Sequence, residues 1–392
     1  MNAHGRPAFY RNGRVLTDSG FQEGLDVVVA DGKVIQVKPA ASAEQIEGKQ
    51  IDLDGNHLVP GFIDVQVNGG GGVLFNDNPS VDGIRTIAEA HRKFGTTGLL
   101  PTLISDDLEV IHAGLAAVDE ALSSRVPGVL GIHIEGPFLC PQRRGIHEAG
   151  KIRRLNRETL ETLHPLKNGA SVITVSPEAV EPGMIRELTR RGFLVCAGHS
   201  NASRSQVTEA LQQGLRGFTH LFNAMSQLTP REPGMVGTAL ADTSSWCGII
   251  ADGVHLADES LRIAWLCKGS DRLMLVTDAM PPVGTDDQEF SLQGKKITVI
   301  DGICSYSDGT LAGAALDMNT AVRYASEHIP CSIEDAIRMA TLSPASFLGL
   351  EGHKGRIKAG MDADFCVFDS GFNVVETVIG GITPVSYTHL RA

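Results

Sequence analysis

Five apolar runs in the middle of the chain each end in a histidine or a carboxylate, the side chains that bind metal ions and transfer protons. The residues at these ends are Glu135, His199, His220, His255 and Asp278. One such ending would be weak support for a functional site, but five in one region of the chain are hard to produce by chance. They predict a catalytic centre at the point where these segments meet.

Glu135, His199 and His220 form the predicted metal site. Two imidazoles and one carboxylate are a familiar ligand set for a catalytic metal, and they leave positions for water and substrate. A divalent ion there lowers the pKa of water toward ~7 and polarises a carbonyl group. The ligand set favours zinc, with iron, cobalt and manganese as alternatives. Asp278 is the candidate that takes a proton and passes it to a leaving group.

Each of these side chains also has a structural interpretation. A single buried histidine is more often hydrogen-bonded to backbone than bound to a metal, but this explanation weakens when His199, His220 and Glu135 are considered together. Asp278 could cap a helix, but two prolines follow three residues later and disfavour a helix there. His133 lies two residues before Glu135 and faces the same side of its segment, so it is interpreted as a supporting residue.

The segments that must position these residues alternate in character. From Phe62 onward, short apolar runs alternate with stretches of helical period, which predicts a parallel sheet. The predicted strands are 62–67, 98–103, 129–134, 171–175, 193–197, 217–219, 247–251 and 272–276. Eight of them predict an α/β fold closed as a (β/α)₈ TIM barrel, whose functional groups sit at the carboxyl ends of the strands. Glycines 69–72 are no dinucleotide fingerprint, which disfavours an open Rossmann sheet.

Short strand-like segments flank the barrel region at both ends of the chain. A hairpin is predicted around Asp31 and Gly32, and a strand-like pattern returns over 355–378. The simplest arrangement joins them into a small discontinuous β-sandwich domain. The predicted boundaries are 1–59 and 355–385 for this domain, 60–354 for a metal-dependent hydrolase barrel, and 386–392 for a tail that continues no pattern and is interpreted as non-native.

Composition excludes several classes of function. The chain has 392 residues, a hydrophobic content of 42% and a net charge of −12, and no basic stripe suggests nucleic-acid binding. No run approaches the ~20 apolar residues that span a bilayer, and no signal-peptide pattern is found. The seven cysteines are scattered and never spaced as CxxC, which suits reduced thiols. We expect a cytoplasmic protein without nucleic-acid or membrane partners.

Taken together, the motifs resemble the amidohydrolase superfamily, and within it the N-acetylglucosamine-6-phosphate deacetylases. The matching segments are 60–69 (PGFIDVQVNG), 133–139 (HIEGPFL), 198–202 (GHSNA), 219–225 (THLFNAM), 231–234 (REPG), 250–255 (IADGVH) and 276–279 (VTDA). Nearly the whole chain is covered, apart from the last residues. The segments 219–225 and 231–234 are specific to the deacetylases and not to the superfamily in general.

The resemblance implies a reaction in which water cleaves the N-acetyl amide of N-acetylglucosamine 6-phosphate, releasing acetate and glucosamine 6-phosphate. Glu135, His199 and His220 are implied to bind the metal. Asp278 is implied to act as general base toward water and then as general acid to the amine. The implied substrate contacts are His147 and His255 at the amide or sugar, Asn223 and Ala224 at the phosphate, Leu311, Ala312 and Gly313 around the sugar, and Ile146 as a further contact.

A homodimer is also implied by the resemblance. Arg231 would reach the phosphate of the substrate bound by the neighbouring subunit. Arginine and backbone N–H groups suit a phosphate in an otherwise acidic protein.

One departure from the superfamily pattern concerns the number of metals. Many members carry two histidines at the end of the first barrel strand and hold two ions, but Gln66 and Asn68 stand there in this chain. An amide oxygen is a poor ligand beside imidazole, so one tight divalent site per subunit is predicted. Gln66, Asn68 and His133 are then supporting residues beside the ligands.

Three alternative functions remain. A cyclic-amide hydrolase of the dihydroorotase or hydantoinase kind would use a carboxylated lysine, and Glu135 occupies that place. A related N-acyl amino sugar phosphate, such as N-acetylgalactosamine 6-phosphate, fits the same residues. A non-catalytic barrel scaffold would have lost ligands or the acid–base residue, whereas all four are present here.

Overall fold

An eight-stranded parallel sheet forms the centre of the computed structural model, which describes residues 7–40 and 47–383. Its strands, in chain order, are Phe62–Val67, Thr96–Ile104, Gly131–Glu135, Ala170–Val175, Leu194–Ala197, Gly217–Phe218, Trp246–Ile249 and Leu273–Leu275. Each strand pairs with the next, and a parallel bridge from Val67 to Ala279 joins the first to the segment after the last. The sheet therefore closes, and the predicted (β/α)₈ barrel is confirmed.

Helices alternate with these strands and share one apolar core with them. Their bounds are Val81–Arg92, Leu108–Ser123, Arg157–Thr162, Met184–Arg191, Arg204–Gln212, Gly234–Ala241, Asp258–Arg272, Met318–His328, Ile333–Ala340 and Leu342–Leu348, with single 3₁₀ turns at Pro141–Arg143, Ala149–Lys151 and Pro177–Ala179. Ser203 and Gln206 form a capping box that starts one helix close behind His199. The helix Asp258–Arg272 is interrupted at Gly269, whose φ is 61°. Across the described residues, no helix combines the length and apolarity needed to cross a membrane.

Two further sheets lie outside the barrel, one built from N-terminal strands alone and the other from strands of both ends of the chain. The first has the order Lys33–Pro39, Leu25–Ala30, Ala8–Arg11, Lys49–Asp52, and the second has the order Val374–Val378, Phe365–Phe368, His57–Pro60, Arg14–Thr17, Gly20–Gln22. Side chains from both sheets, among them Tyr10, Val27 and Phe365, share a separate apolar core. This is the sandwich predicted from sequence.

The predicted hairpin at Asp31 and Gly32 is present, with positive φ at both residues as a two-residue hairpin turn requires. The strand-like pattern over 355–378 is only partly realised, because its strands begin at Phe365. Residues 355–364 form turns instead, which glycines at 355 and 360 with positive φ favour. The predicted tail, 386–392, lies outside the described residues.

A fourth sheet follows the eighth barrel strand. It is antiparallel, in the order Glu289–Leu292, Lys295–Ile300, Ile303–Ser305, Leu311–Ala314, and a short pair, Gly69–Gly70 with Val73–Leu74, lies near it. Leu292, Ile297 and Ala312 pack with Ile104 and Met280 in a small cluster of their own. The last strand of this sheet is anchored where the Ala314 N–H donates to the carbonyl of Asp278 at 3.0 Å.

Phe365 tests how strongly the end of the chain stabilises this architecture. The side chain is fully buried, stacks edge-on against Tyr10 at 5.3 Å, and its strand pairs with His57–Pro60. Phe365→Ala removes this packing, so we expect the free energy of unfolding to fall by about 3–5 kcal/mol. Val375→Ala is the control, because Val375 is 58% exposed in the neighbouring strand. This variant should change the free energy of unfolding by less than about 0.5 kcal/mol. Denaturant unfolding followed by circular dichroism measures both, and equal effects would contradict the prediction.

Candidate metal centre and active site

Three side chains converge at the carboxyl end of the barrel. Glu135 is the last residue of the third strand, His199 follows the fifth and His220 follows the sixth. Oε1 of Glu135 lies 2.9 Å from Nε2 of His220 and 3.1 Å from Nε2 of His199. These ligand atoms all lie within 4.8 Å of one another, and the side chains are buried. The structure thus brings together the three residues predicted to hold a metal.

The donor chemistry of these residues fits a divalent cation. Nδ1 of His199 donates to the carbonyl oxygen of Arg143 at 2.9 Å, which leaves the Nε2 lone pair free for a metal. Burial alone would raise the pKa of Glu135, but its close pairing with His199 and His220 outweighs burial and holds the pKa well below its usual value. An ionised carboxylate beside two imidazoles is a set that binds zinc and similar ions.

Asp278 follows the eighth strand and lies on the same side of the barrel. Its Oδ1 accepts hydrogen bonds from Nδ2 of Asn68 at 2.7 Å and from Nε2 of Gln66 at 3.0 Å. Gln66 also donates to both oxygens of Glu135, at 3.3 and 3.2 Å. The two amides that replace the histidines of the superfamily pattern therefore hold Asp278 and link it to Glu135.

Electrostatics suit Asp278 to proton transfer. Burial raises the pKa of its carboxyl to about 6, and the negative charge of Glu135 acts in the same direction. A cation at the three-ligand site would oppose this shift. A group that titrates near neutrality can both accept and return a proton during one reaction cycle.

The backbone at these residues is unusual. His199, His220 and Asp278 have φ values of 48°, 33° and 51°, in the left-handed region that residues with a Cβ rarely adopt. Each such residue costs roughly 1–3 kcal/mol and persists only where its surroundings fix it. Here the fixing contacts are visible: the Ser176 hydroxyl donates to the His199 carbonyl at 2.6 Å, and the Asp278 N–H donates to the Gln66 carbonyl at 3.1 Å.

His147 and His255 both leave Nε2 for the site, but with opposite hydrogen-bonding roles. Nδ1 of His147 accepts from the backbone N–H of Ser105 at 3.1 Å, which assigns the proton of the neutral ring to Nε2. Burial lowers the pKa of His147 well below its usual value. Nδ1 of His255 instead donates to Oδ2 of Asp252 at 2.6 Å. His147 is therefore a neutral N–H donor, whereas the Nε2 of His255 is free to accept a hydrogen bond.

His133 has a supporting position. Its Nδ1 lies 3.1 Å from the carbonyl oxygen of Val65, and its Nε2 lies 2.8 Å from Oγ1 of Thr174. Both ring nitrogens are thus engaged by protein atoms. Burial lowers its pKa to about 4, so the ring is neutral at physiological pH.

A cavity of about 390 Å³ opens above these residues. Besides Glu135, His199, His220 and Asp278, the predicted residues that line it are Ile146, His147, Asn223, Ala224, His255, Leu311 and Gly313. Ala312 does not line it, because its side chain is buried in the cluster of the fourth sheet. Arg231 is exposed and does not line the cavity of its own chain.

Sequence reasoning missed several residues of the lining. They are Ile104, Gln142, Arg143, Gly145, Ile250 and Thr310. Arg143 is the notable omission, since it brings a cation to a cavity predicted to hold a phosphate. The sequence does contain a signal for a cationic residue here, because two arginines stand close before His147 in a chain whose net charge is strongly negative. Ile104 and Ile250 carry no such signal, because isoleucines in or directly after barrel strands usually serve the core.

Comparisons with known proteins agree with this geometry. Residues 57–383 match the model of the amidohydrolase family. The chain is 43% identical to the N-acetylgalactosamine-6-phosphate deacetylase of Shewanella sp. (strain ANA-3), covering 94% of this chain and 93% of that protein. It is 34% identical to the N-acetylglucosamine-6-phosphate deacetylase of Haemophilus influenzae, and the match covers 90% of this chain and 93% of that protein. The crystal structure of N-acetylglucosamine-6-phosphate deacetylase from Pasteurella multocida superimposes with a TM-score of 0.90 at 33% identity, covering 96% of this chain and 98% of the other.

Proposed function

Because this chain belongs to the amidohydrolase family, we propose that it hydrolyses the N-acetyl amide of N-acetylglucosamine 6-phosphate, yielding glucosamine 6-phosphate and acetate. The chain is a hydrolase. The observation that carries the proposal is the convergence of Glu135, His199 and His220 beside Asp278 in one cavity. The relatives with deacetylase names match over nearly the full length of both chains, which supports the same substrate class.

Asp278 is the proposed acid–base residue. Gln66 and Asn68 both bind Oδ1, so the carboxyl group is fixed and Oδ2 remains available for the proton. Oδ2 takes the proton of the attacking water and then delivers it to the amine nitrogen as the amide bond breaks. Glu135, His199 and His220 would hold the metal, which would supply a more acidic water and a polarised amide carbonyl.

His147 and His255, the two histidines of the cavity outside the proposed metal ligands, are proposed to orient the substrate. The Nε2–H of His147 donates to an oxygen of the amide or the sugar, and burial keeps that ring neutral. The Nε2 of His255 accepts a hydroxyl proton of the sugar, with its ring held by Asp252. Asn223 and Ala224 lie in the cavity lining at the proposed position of the phosphate, and Leu311 and Gly313 contact the sugar.

We further propose one zinc ion per subunit, with iron, cobalt and manganese as alternatives that suit the same ligands. A cytoplasmic location is supported by seven cysteines that all carry free thiols.

N-acetylgalactosamine 6-phosphate is a second candidate substrate, because the Shewanella relative at 43% identity is named for it. The test is release of free amine from both epimers by metal-loaded protein, with kcat/KM measured for each. A higher kcat/KM for the gluco epimer supports the first proposal, and a higher value for the galacto epimer replaces it with the second. No turnover of either by folded, metal-bound protein would exclude both.

The proposed homodimer makes a separate prediction about Arg231. If Arg231 serves the neighbouring site, Arg231→Ala and Asp278→Asn each inactivate the dimer, but a mixed dimer has one complete site. Random mixing should then restore about a quarter of the parent activity, since half of the dimers are mixed and each has one working site. The measurement is deacetylation after co-expression of the two variants, compared with each variant alone. Activity no greater than the sum of the separate variants would show that Arg231 does not act across a dimer.

A further inference from the structure

At the end of the barrel opposite the candidate active site, a second cavity of about 640 Å³ is rich in cationic side chains. Those in its lining are Lys268, Arg272, Arg338, Arg356 and Lys358. Arg272 directly precedes the eighth strand, Leu273–Leu275, which places the cavity at the amino ends of the strands. The chain as a whole carries a net charge of −12, so the charge of this cavity is opposite in sign to the net charge of the protein.

Ion pairs account for only some of these charges. Arg338 lies 2.6 Å from Asp271, and Arg356 lies 2.8 Å from Asp18. Lys268, Arg272 and Lys358 remain, and the other carboxylate in the cavity lining is Glu351. The positive charge of the cavity therefore exceeds its negative charge.

Arg272 is held in place without an anionic partner in the part of the chain that the structure describes. Its guanidinium lies over the ring of Trp246, 4.0 Å from the ring centroid, and forms no hydrogen bond or ion pair with residues 7–40 or 47–383. Arg216 lies over the same indole at 4.8 Å, so two guanidinium groups share one ring. An aromatic face can hold a guanidinium by cation–π attraction while its N–H groups stay available for a ligand.

Lys268 adds a buried positive charge. It is 7% exposed, and its ammonium group donates to the carbonyl oxygens of Ala239 at 3.1 Å and Asp242 at 2.5 Å. These contacts satisfy its hydrogen bonds but involve neutral carbonyl groups. Lys268 also interacts electrostatically with the carboxylate of Asp242, so it contributes only part of its charge to the cavity.

We propose that this cavity is a binding site for a small polyanion carrying at least two phosphate or carboxylate groups. One anionic group pairs with the guanidinium of Arg272 and a second with Lys358. A guanidinium group matches the oxygens of phosphate or carboxylate with two parallel hydrogen bonds. The volume of about 640 Å³ is of the size that holds small-molecule ligands. The site is separate from the proposed catalytic cavity and shares no lining residue with it.

Isothermal titration of the full-length, metal-loaded protein tests the proposal, with fructose 1,6-bisphosphate as the probe and inorganic phosphate as the second arm. We expect the bisphosphate to bind, and Arg272→Gln and Lys358→Gln each to weaken that binding at least about tenfold, as for loss of a charged hydrogen bond. Arg262→Gln is the matched control, since Arg262 is exposed on the helix that contains Arg272. This variant should leave the affinity for the bisphosphate unchanged.

Three outcomes overturn the proposal. The first is equal binding by the parent and both cavity variants, which would place the probe elsewhere, such as in the catalytic cavity. The second is no binding by the parent at millimolar probe. The third is equal affinity for inorganic phosphate, which would remove the requirement for two anionic groups. Lys358 is exposed, so its variant keeps the test decisive if Arg272→Gln fails to fold.

Discussion

Replacing Asp278 by asparagine should lower kcat for deacetylation by about 10²–10⁴-fold, the range expected when a positioned acid–base group is lost. Asparagine has nearly the same shape, and its amide oxygen can still accept hydrogen bonds from Gln66 and Asn68. It cannot carry a transferable proton at a pKa near neutrality. The variant should therefore fold normally and retain its metal, so that the loss is confined to the chemical step.

The measurement is steady-state release of free amine together with metal content. Asp286→Asn, which changes an exposed aspartate in the loop after the same strand, is the control and should keep parent activity. An Asp278→Asn protein within about tenfold of the parent, with metal bound, would assign the acid–base role to another group. Loss of metal in the same variant would instead make Asp278 a ligand.

Removing the metal should abolish activity, with a fall of at least about 10³-fold, because a bound cation contributes several kcal/mol of transition-state stabilisation. Dialysis against a chelator, followed by addition of zinc, iron, cobalt or manganese, shows which ion restores turnover. His199→Ala should reproduce the loss, since its Nε2 is one of three converging ligand atoms. His164→Ala, at an exposed position, is the control.

Metal content and activity must change together for this prediction to hold. Full turnover by metal-free protein would rule out a metal-dependent mechanism. A second ion per subunit in the active parent would contradict the single site that Gln66 and Asn68 predict. Stoichiometry by elemental analysis therefore checks the number of ions separately from their necessity.

The barrel could be predicted because its strands are short buried runs that alternate with segments of helical period. The strand ends also showed which side chains would meet, since parallel strands deliver their carboxyl ends to one edge. For this reason Glu135, His199, His220 and Asp278 could be identified from the sequence, and the structure places them together.

Other features depend on tertiary contacts that local sequence does not encode. The left-handed backbone of His199 and Asp278 is imposed by hydrogen bonds from distant residues such as Ser176. The proton position on His147 depends on Ser105, 42 positions earlier in the chain. The cationic cavity gathers side chains from several separate segments, each of which is an ordinary charged surface residue when considered alone.

The pairing of His57–Pro60 with Phe365–Phe368 constrains how the molecule is made. A ribosome releases the N-terminal strands first, but their partner emerges only after the whole barrel has been translated. At typical synthesis rates of about 5–20 residues per second, the intervening ~300 residues impose a delay of at least some 15 seconds. During that interval the apolar faces of the early strands lack their partner, so the growing chain is an expected client of chaperones that bind nascent polypeptides.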